Sequence, residues 1–198
     1  MKRLYFIIIL LVVFSLSGFS KGKWTIDLGS SYGFNSSDIY LWNYKMENTS
    51  SVGLYAGLGY EFFLWEKLSL GSGLQYHQMH DKVNINKEEI SGYSYHFNIP
   101  FHLNYYWKNL QLFSGVAVQN YRNIEDMALK RSHNVRWQFD AGMAWHFDEV
   151  WAVKASYTQL MSKKVSTFLA QNYFHHIRLG VVFNLSEFIK GINENKKK

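Results

Sequence analysis

The stretch Val135-Arg136-Trp137-Gln138-Phe139-Asp140-Ala141-Gly142-Met143-Ala144-Trp145-His146-Phe147 decides the architecture. Val135, Trp137, Phe139, Ala141, Met143, Trp145 and Phe147 are apolar, and the residues between them, Arg136, Gln138, Asp140, Gly142, Ala144 and His146, are polar or small. A period of two belongs to a strand, whose successive side chains point to opposite faces. A helix would instead repeat its apolar residues every three or four positions.

Working outward, the same alternation recurs in 24–35, 52–63, 68–79, 93–105, 110–121, 151–161 and 175–185. In 24–35 Trp24, Ile26, Leu28, Tyr32 and Phe34 oppose Thr25, Asp27, Gly29, Ser31 and Gly33; in 175–185 Ile177, Leu179, Val181, Phe183 and Leu185 oppose His176, Arg178, Gly180, Val182 and Asn184. Each of the eight segments reaches the roughly 9–11 residues that a tilted strand needs to cross a bilayer. The connections 64–67, 106–109 and 148–150 are short, whereas 36–51, 80–92, 122–134 and 162–172 are long and polar. Because short and long alternate, all short turns fall at one end and all long loops at the other. That asymmetry predicts an all-β fold, an eight-stranded antiparallel up-and-down transmembrane β-barrel with turns on the periplasmic side and loops outside.

A soluble ligand-binding barrel would show the same period, with its apolar parity inward and a charged parity in water. Here the second parity is Gly, Ser, Asn, Gln and His, and its only charges within the strands are Asp27, Glu61, Arg136, Asp140, Lys154 and Arg178. Small neutral-polar groups suit the cramped lumen of eight strands. On the apolar parity, Trp24, Tyr60, Phe62, Tyr105, Trp107, Trp145, Trp151 and Phe183 gather towards the short turns. Tyr32, Phe34, Tyr76, Tyr93, Tyr95, Tyr157 and Tyr173 gather towards the long loops. Two aromatic girdles around an aliphatic band are expected at two lipid interfaces. The greasy face is therefore expected outside, so a lysine at Leu58 should cost far more than a serine at Gly57.

The chain has 198 residues, 47% hydrophobic and 18% charged, with one proline and no cysteine. The missing cysteines exclude a disulfide scaffold, a thiolate metal site and a cysteine nucleophile. Lys2 and Arg3 precede an uncharged apolar run from Leu4 to Leu16 that ends in Ser17, Gly18, Phe19 and Ser20. This is the pattern of a secretory signal, expected to be cut after residue 20. Without those residues the formal charge falls from +6 to +4, and no basic cluster precedes the final lysines, so nucleic acid is not an expected partner. The expected organisation is a signal at 1–20, a barrel at 21–185 and a polar tail at 186–198. The tail is expected to be disordered.

Two strings carry a family resemblance. Arg178-Leu179-Gly180-Val181-Val182-Phe183-Asn184-Leu185 looks like the assembly signal of outer-membrane barrels, with Arg178, Gly180, Phe183 and Leu185 at its marked positions. Tyr95-His96-Phe97-Asn98-Ile99-Pro100-Phe101-His102-Leu103-Asn104-Tyr105-Tyr106 is similar to a strand of PorT-like outer-membrane β-barrel domains, with Asn98 and Asn104 where that family has Glu and Lys. The chain thus resembles the small bacterial outer-membrane β-barrel family, of OmpA/OmpX-type architecture, over residues 24–185. The resemblance implies a bacterial outer-membrane protein that meets outer-membrane lipid and, during biogenesis, the barrel-assembly machinery. Pro100, which removes one ladder donor, is expected at a bulge.

Few residues point to chemistry. The six lumenal charges are expected to pair as a structural plug, because a charge left alone in a narrow interior is costly. An ion path is the alternative. His96 and His102 share a face but stand roughly 20 Å apart along their strand, and no other histidine set has zinc-ligand spacing. No metal and no cofactor are expected. A lipid-facing hydrolase would need a serine beside a histidine, yet Ser72, Ser114 and His175 lie on separated strands, and no nucleophile elbow or P-loop is present. Loop residues His80, Asp81 and His133 leave catalysis as an alternative. The expectation is a monomeric, non-enzymatic scaffold that presents four outer loops for envelope integrity or surface contact. Its alternatives are a lipid-modifying enzyme and a narrow channel or secretion-accessory barrel.

Overall fold

The computed structural model describes residues 22–35, 39–41, 44–85, 88–123, 134–161 and 174–195. The signal segment, including Gly18 and Ser20, lies outside these residues, as do His133 and Tyr173. Nine strands form one sheet: β1 (Gly22–Asn35), β2 (Ile39–Leu41), β3 (Tyr44–Trp65), β4 (Leu68–Ile85), β5 (Glu88–Trp107), β6 (Leu110–Asn123), β7 (Asn134–His146), β8 (Trp151–Leu160) and β9 (Phe174–Asn184), followed by helix α1 (Leu185–Asn195). All pairings are antiparallel and run in chain order, and β1 closes the ring by pairing with both β9 and β3. Eight strands make the wall of an up-and-down barrel; β2 pairs only with the start of β3.

The two faces are as the alternation predicts. Leu28, Leu54, Leu58, Leu70, Leu74, Phe97, Phe101, Leu112, Met143, Val153, Leu179 and Val181 are exposed on the outer surface. Asp27, Glu61, Gln75, His77, Asn98, His102, Asn104, Gln138, Asp140 and Arg178 are buried inside. At the short-turn end Trp24 packs on Tyr60 and Trp151 on Phe183, each with ring centroids 4.8 Å apart, while Tyr76 packs on Phe97 and Tyr95 higher up.

Three expectations need correction. The segments 36–51 and 80–92 are largely strand: β3, β4 and β5 have 22, 18 and 20 residues, well past the length that crosses a bilayer. The ladder continues in unbroken register, with the β-formers Val83 and Ile90 opposite each other and Lys82 opposite Ser91. Pro100 is not at a bulge. It pairs with Ala117 on β6, while the ladder with β4 skips from Ser72–Phe101 to Gln75–Asn98 without losing register. A proline lacks one donor but adds no residue, so the ladder is interrupted and not shifted; the irregularities lie at Glu47/Ser50 and Phe63/Trp65.

The third correction is the tail, where Leu185 opens a helix and is not the last residue of a strand. Asn184 is its N-cap, accepting the Glu187 N–H at 3.3 Å, while Ser186 Oγ accepts the Trp24 N–H at 2.9 Å. The spacing of Leu185, Phe188, Ile189 and Ile192 places one apolar stripe on a helix, so the expected disorder does not hold through Asn195, while residues 196–198 lie outside the described residues.

Candidate functional site: a layered polar lumen

The inward parity of eight strands converges on one narrow space, and its polar groups form layers. Nearest the short turns, the Glu61 carboxylate accepts from the Ser69 hydroxyl, from Asn104 Nδ2 at 2.8 Å, from the Tyr106 hydroxyl at 2.5 Å and from Gln111 Nε2 at 3.4 Å. Glu61 has no cation within ion-pair distance among the described residues, so its charge is carried by neutral donors. This corrects the expectation that each lumenal charge has a charged partner. Four donors fill the acceptor sites of a carboxylate without supplying a countercharge.

The next layer holds Asp27. Lys154 Nζ lies 2.7 Å from its Oδ2, the Tyr55 hydroxyl donates to Oδ1 at 3.0 Å, and Gln75 Nε2 donates to Oδ2 at 3.4 Å. Tyr55 reaches this far because Gly29 and Gly180 face each other across the β1–β9 ladder. A Cβ at Gly180 would stand 2.3 Å from the Tyr55 hydroxyl oxygen, and one at Gly29 would stand 2.8 Å from its ring. The glycine of the β9 string thus has a packing reason of its own.

Above it, Arg178 Nη2 donates to both oxygens of Asp140 at 2.5 Å, Nη1 to Gln75 Oε1 at 3.0 Å and Nε to Ser156 Oγ at 3.1 Å. Thr158 Oγ1 donates to Asp140 Oδ1 at 3.1 Å. His102 Nε2 stands 3.0 Å from Asp140 Oδ2, and since a carboxylate only accepts, that nitrogen carries the proton. Gln75 joins the two ion pairs, donating to Asp27 and accepting from Arg178.

Towards the long loops the lumen becomes histidine-rich. His77 stacks on His96 with centroids 4.6 Å apart and on Tyr55 at 5.3 Å, and His176 stands edge-on to His96 at 6.5 Å. Asn98 Nδ2 is 3.2 Å from His77 Nε2, and Gln138 Nε2 donates to Gln119 Oε1 at 2.5 Å. Arg136 is buried opposite Gln119.

The structure therefore brings Asp27 to Lys154 and Asp140 to Arg178, while Glu61 is held by neutral donors. The residues that bind these charges together, Tyr55, Gln75, His102, Asn104 and Tyr106, share the charged parity, and that shared face was the available signal. The meeting of His77, His96 and His176 was not visible from spacing along any one strand, because the three come from β4, β5 and β9. No group of three histidines or carboxylates is placed to hold a metal ion among the described residues. Nor does the fold bring Ser72 or Ser114 to His175, which stacks on Phe34 and Tyr157 instead.

A cavity of about 100 Å³ opens between the first two layers, lined among others by Asp27, Glu61, Gln75, His102 and Lys154. A second of about 10 Å³ lies among His77, His96, Asn98, Gln138 and Arg178. Between the two lie the Arg178–Gln75 and Arg178–Asp140–His102 contacts, which form a partition across the lumen.

No family model matches the chain, and no curated protein matches it. Among solved structures it is similar to the outer membrane protein Ail of Yersinia pestis in a phospholipid bilayer nanodisc (14% identity, TM-score 0.48, 83% of this chain and 100% of that one). It is also similar to the outer membrane protein OprG from Pseudomonas aeruginosa (13%, TM-score 0.49, 83% and 94%). A third is Neisserial surface protein A (11%, TM-score 0.48, 82% and 97%).

Proposed function

We propose that this chain is a monomeric, non-enzymatic barrel of the bacterial outer membrane, a lipid-embedded scaffold that presents its long-loop end to the exterior for envelope integrity or surface contact. The observation that carries the reading is the inversion of the two faces: the wall is aliphatic and aromatic outside while ion pairs, amides and imidazoles fill the inside. In water that arrangement exposes a continuous apolar band far larger than the patches soluble monomers tolerate. In hydrocarbon it is the required one, since only a helix or a closed sheet satisfies every backbone group there. Among the described residues no helix is long and apolar enough to cross a membrane, and it is the strands that carry the exposed apolar band.

In this reading residues 1–20 are the export signal, outer-membrane lipid is the partner of the wall, and β9 with Arg178, Gly180 and Phe183 is read by the barrel-assembly machinery. The partition at Arg178 favours a structural plug over a conducting path, so planar bilayers containing the protein should stay silent.

The test is a gel comparison of unheated and boiled protein extracted in mild detergent. A closed barrel resists SDS until heated and migrates as a separate band. Identical bands, or a chain that stays monodisperse in buffer without detergent, would overturn the proposal. Leu58, 48% exposed at mid-wall, sharpens it: Leu58→Lys should destabilise the reconstituted barrel by about 2–4 kcal/mol.

A further inference from the structure

Helix α1 is not explained by a scaffold barrel, whose wall is complete at Asn184. Its residues divide into two faces. Phe188, Ile189 and Ile192 form one stripe and are 45%, 49% and 41% exposed, and Phe188 packs on Phe183 of the barrel. Glu187 and Lys190, joined at 3.4 Å, face the other way, where they line a cavity at the barrel mouth with Lys23, Tyr106, His146 and Glu149. The helix therefore does not plug the mouth with its apolar side. It turns its charges to the mouth and its apolar stripe away from the barrel.

The direction of that stripe is set by Phe183. Its ring lies 5.3 Å from Phe188 on one side and 4.8 Å from Trp151 on the other, so the stripe continues the aromatic girdle of the wall at the short-turn end. The Asn184 cap and the Trp24–Ser186 hydrogen bond fix the angle at which the helix leaves β9. The helix itself carries one lysine, Lys190, against Glu187 and Glu194, so its apolar stripe and not its charge is what suits a lipid surface. An amphipathic helix joined edge to edge with a lipid-facing girdle has the features of a helix that lies in the interface plane of a bilayer.

We infer that α1 is a membrane-surface helix whose Phe188, Ile189 and Ile192 insert among the head groups of the leaflet at the short-turn end, with phospholipid as the occupant of the stripe. The inference rests on the outer-membrane reading above and adds a second, separable contact with lipid. It also makes the helix a collar that holds Glu187 and Lys190 beside the mouth.

The chain has no cysteine, so single-cysteine variants can report position by position. Ile192→Cys, Lys190→Cys and Leu58→Cys are labelled with an environment-sensitive fluorophore in the full chain. Each is reconstituted into vesicles of phosphatidylethanolamine and phosphatidylglycerol, and kept only if its unheated gel band is compact. The label at position 192 should emit to the blue and be quenched several-fold more strongly by a shallow lipid nitroxide than the label at 190. The label at 58 should respond most to a deep nitroxide. A water-like label at 192 beside a lipid-quenched label at 58 overturns the inference and leaves the barrel reading intact; a water-like label at 58 overturns both. A blue-shifted label at 192 that no lipid nitroxide quenches means a protein surface, such as a second copy, covers the stripe, and this too overturns the inference.

Discussion

In the middle of the lumen Asp27, Lys154, Asp140 and Arg178 answer one another through Gln75; Asp27, Asp140 and Arg178 each have three hydrogen-bond partners among the described residues, and Lys154 has Asp27 and the Phe113 ring. Towards the long loops the same narrow space holds stacked imidazoles and amides. There Ser31 Oγ, Ser51 Oγ, Asn98 Oδ1 and Gln138 Oε1 are buried with no hydrogen-bond partner among the described residues. The contrast follows from what each kind of group costs when left alone. An unpartnered buried charge costs several kcal/mol, whereas an orphaned neutral oxygen costs on the order of 1–3 kcal/mol. A lumen can therefore tolerate incomplete neutral pairing at one end and must saturate its charges at the other.

The largest expected break comes from splitting the central pair. Arg178→Met leaves Asp140, 1% exposed, with only His102 and Thr158, and should cost about 3–5 kcal/mol in denaturant unfolding of the reconstituted barrel. The double variant Arg178→Met/Asp140→Leu removes both charges and should recover most of that loss. If it does not, the layer acts through shape and not through charge balance.

Gly57→Ser comes next and sets sequence against structure. Read from the sequence alone, a small lumenal residue exchanged for another small one is mild. In the structure a Cβ at Gly57 would stand 2.8 Å from Gln75 Cγ, and Gln75 is the link between the two ion pairs. The same denaturation assay should show a loss of about 1–3 kcal/mol. Combined with Gln75→Ala, the serine should add little further, because the atom it displaces is gone.

The legible and illegible parts of this molecule divide along the same line. Face assignment needs only a period of two, so Trp137 outside and Gln138 inside could be read directly. Partner choice needs the register of strands distant in sequence: Asp27 meets Lys154 from β8, and His77 meets His96 from β5, which in turn meets His176 from β9. Pairing of opposite charges could be anticipated in kind; Glu61, which holds four neutral donors, could not. The helix was hidden for a different reason. Its apolar stripe begins at Leu185, where the β9 alternation has the same residue as its next outward position, so one leucine fits both periods. Asn184 decides between them, since its amide caps the helix and its Nδ2 donates to the Glu149 carbonyl at 3.2 Å.

At the histidine-rich end the effects should shrink. His77→Phe keeps a flat ring between Tyr55 and His96 and loses only the contact with Asn98, so about 1 kcal/mol is expected. A loss as large as that of Arg178→Met would mean that the imidazoles carry the upper lumen as the ion pairs carry the middle.

Ser31→Ala is the finest probe. Ser31 is 3% exposed, sits opposite Arg178 on the β1–β9 ladder, and its hydroxyl has no partner among the described residues. Removing that oxygen removes a desolvated group without leaving a partner behind, so stability should hold within about 0.5 kcal/mol or rise. Ser156→Ala is its counterpart, because the Ser156 hydroxyl accepts the Arg178 Nε–H at 3.1 Å and its loss strands a charged donor. The two substitutions delete the same atom type from the same face, so a clear gap between them, with Ser156→Ala the costlier, measures what saturation of the guanidinium contributes. Equal losses would mean that the hydroxyl of Ser31 is satisfied as fully as that of Ser156, and the distinction between the two ends of the lumen would go with it.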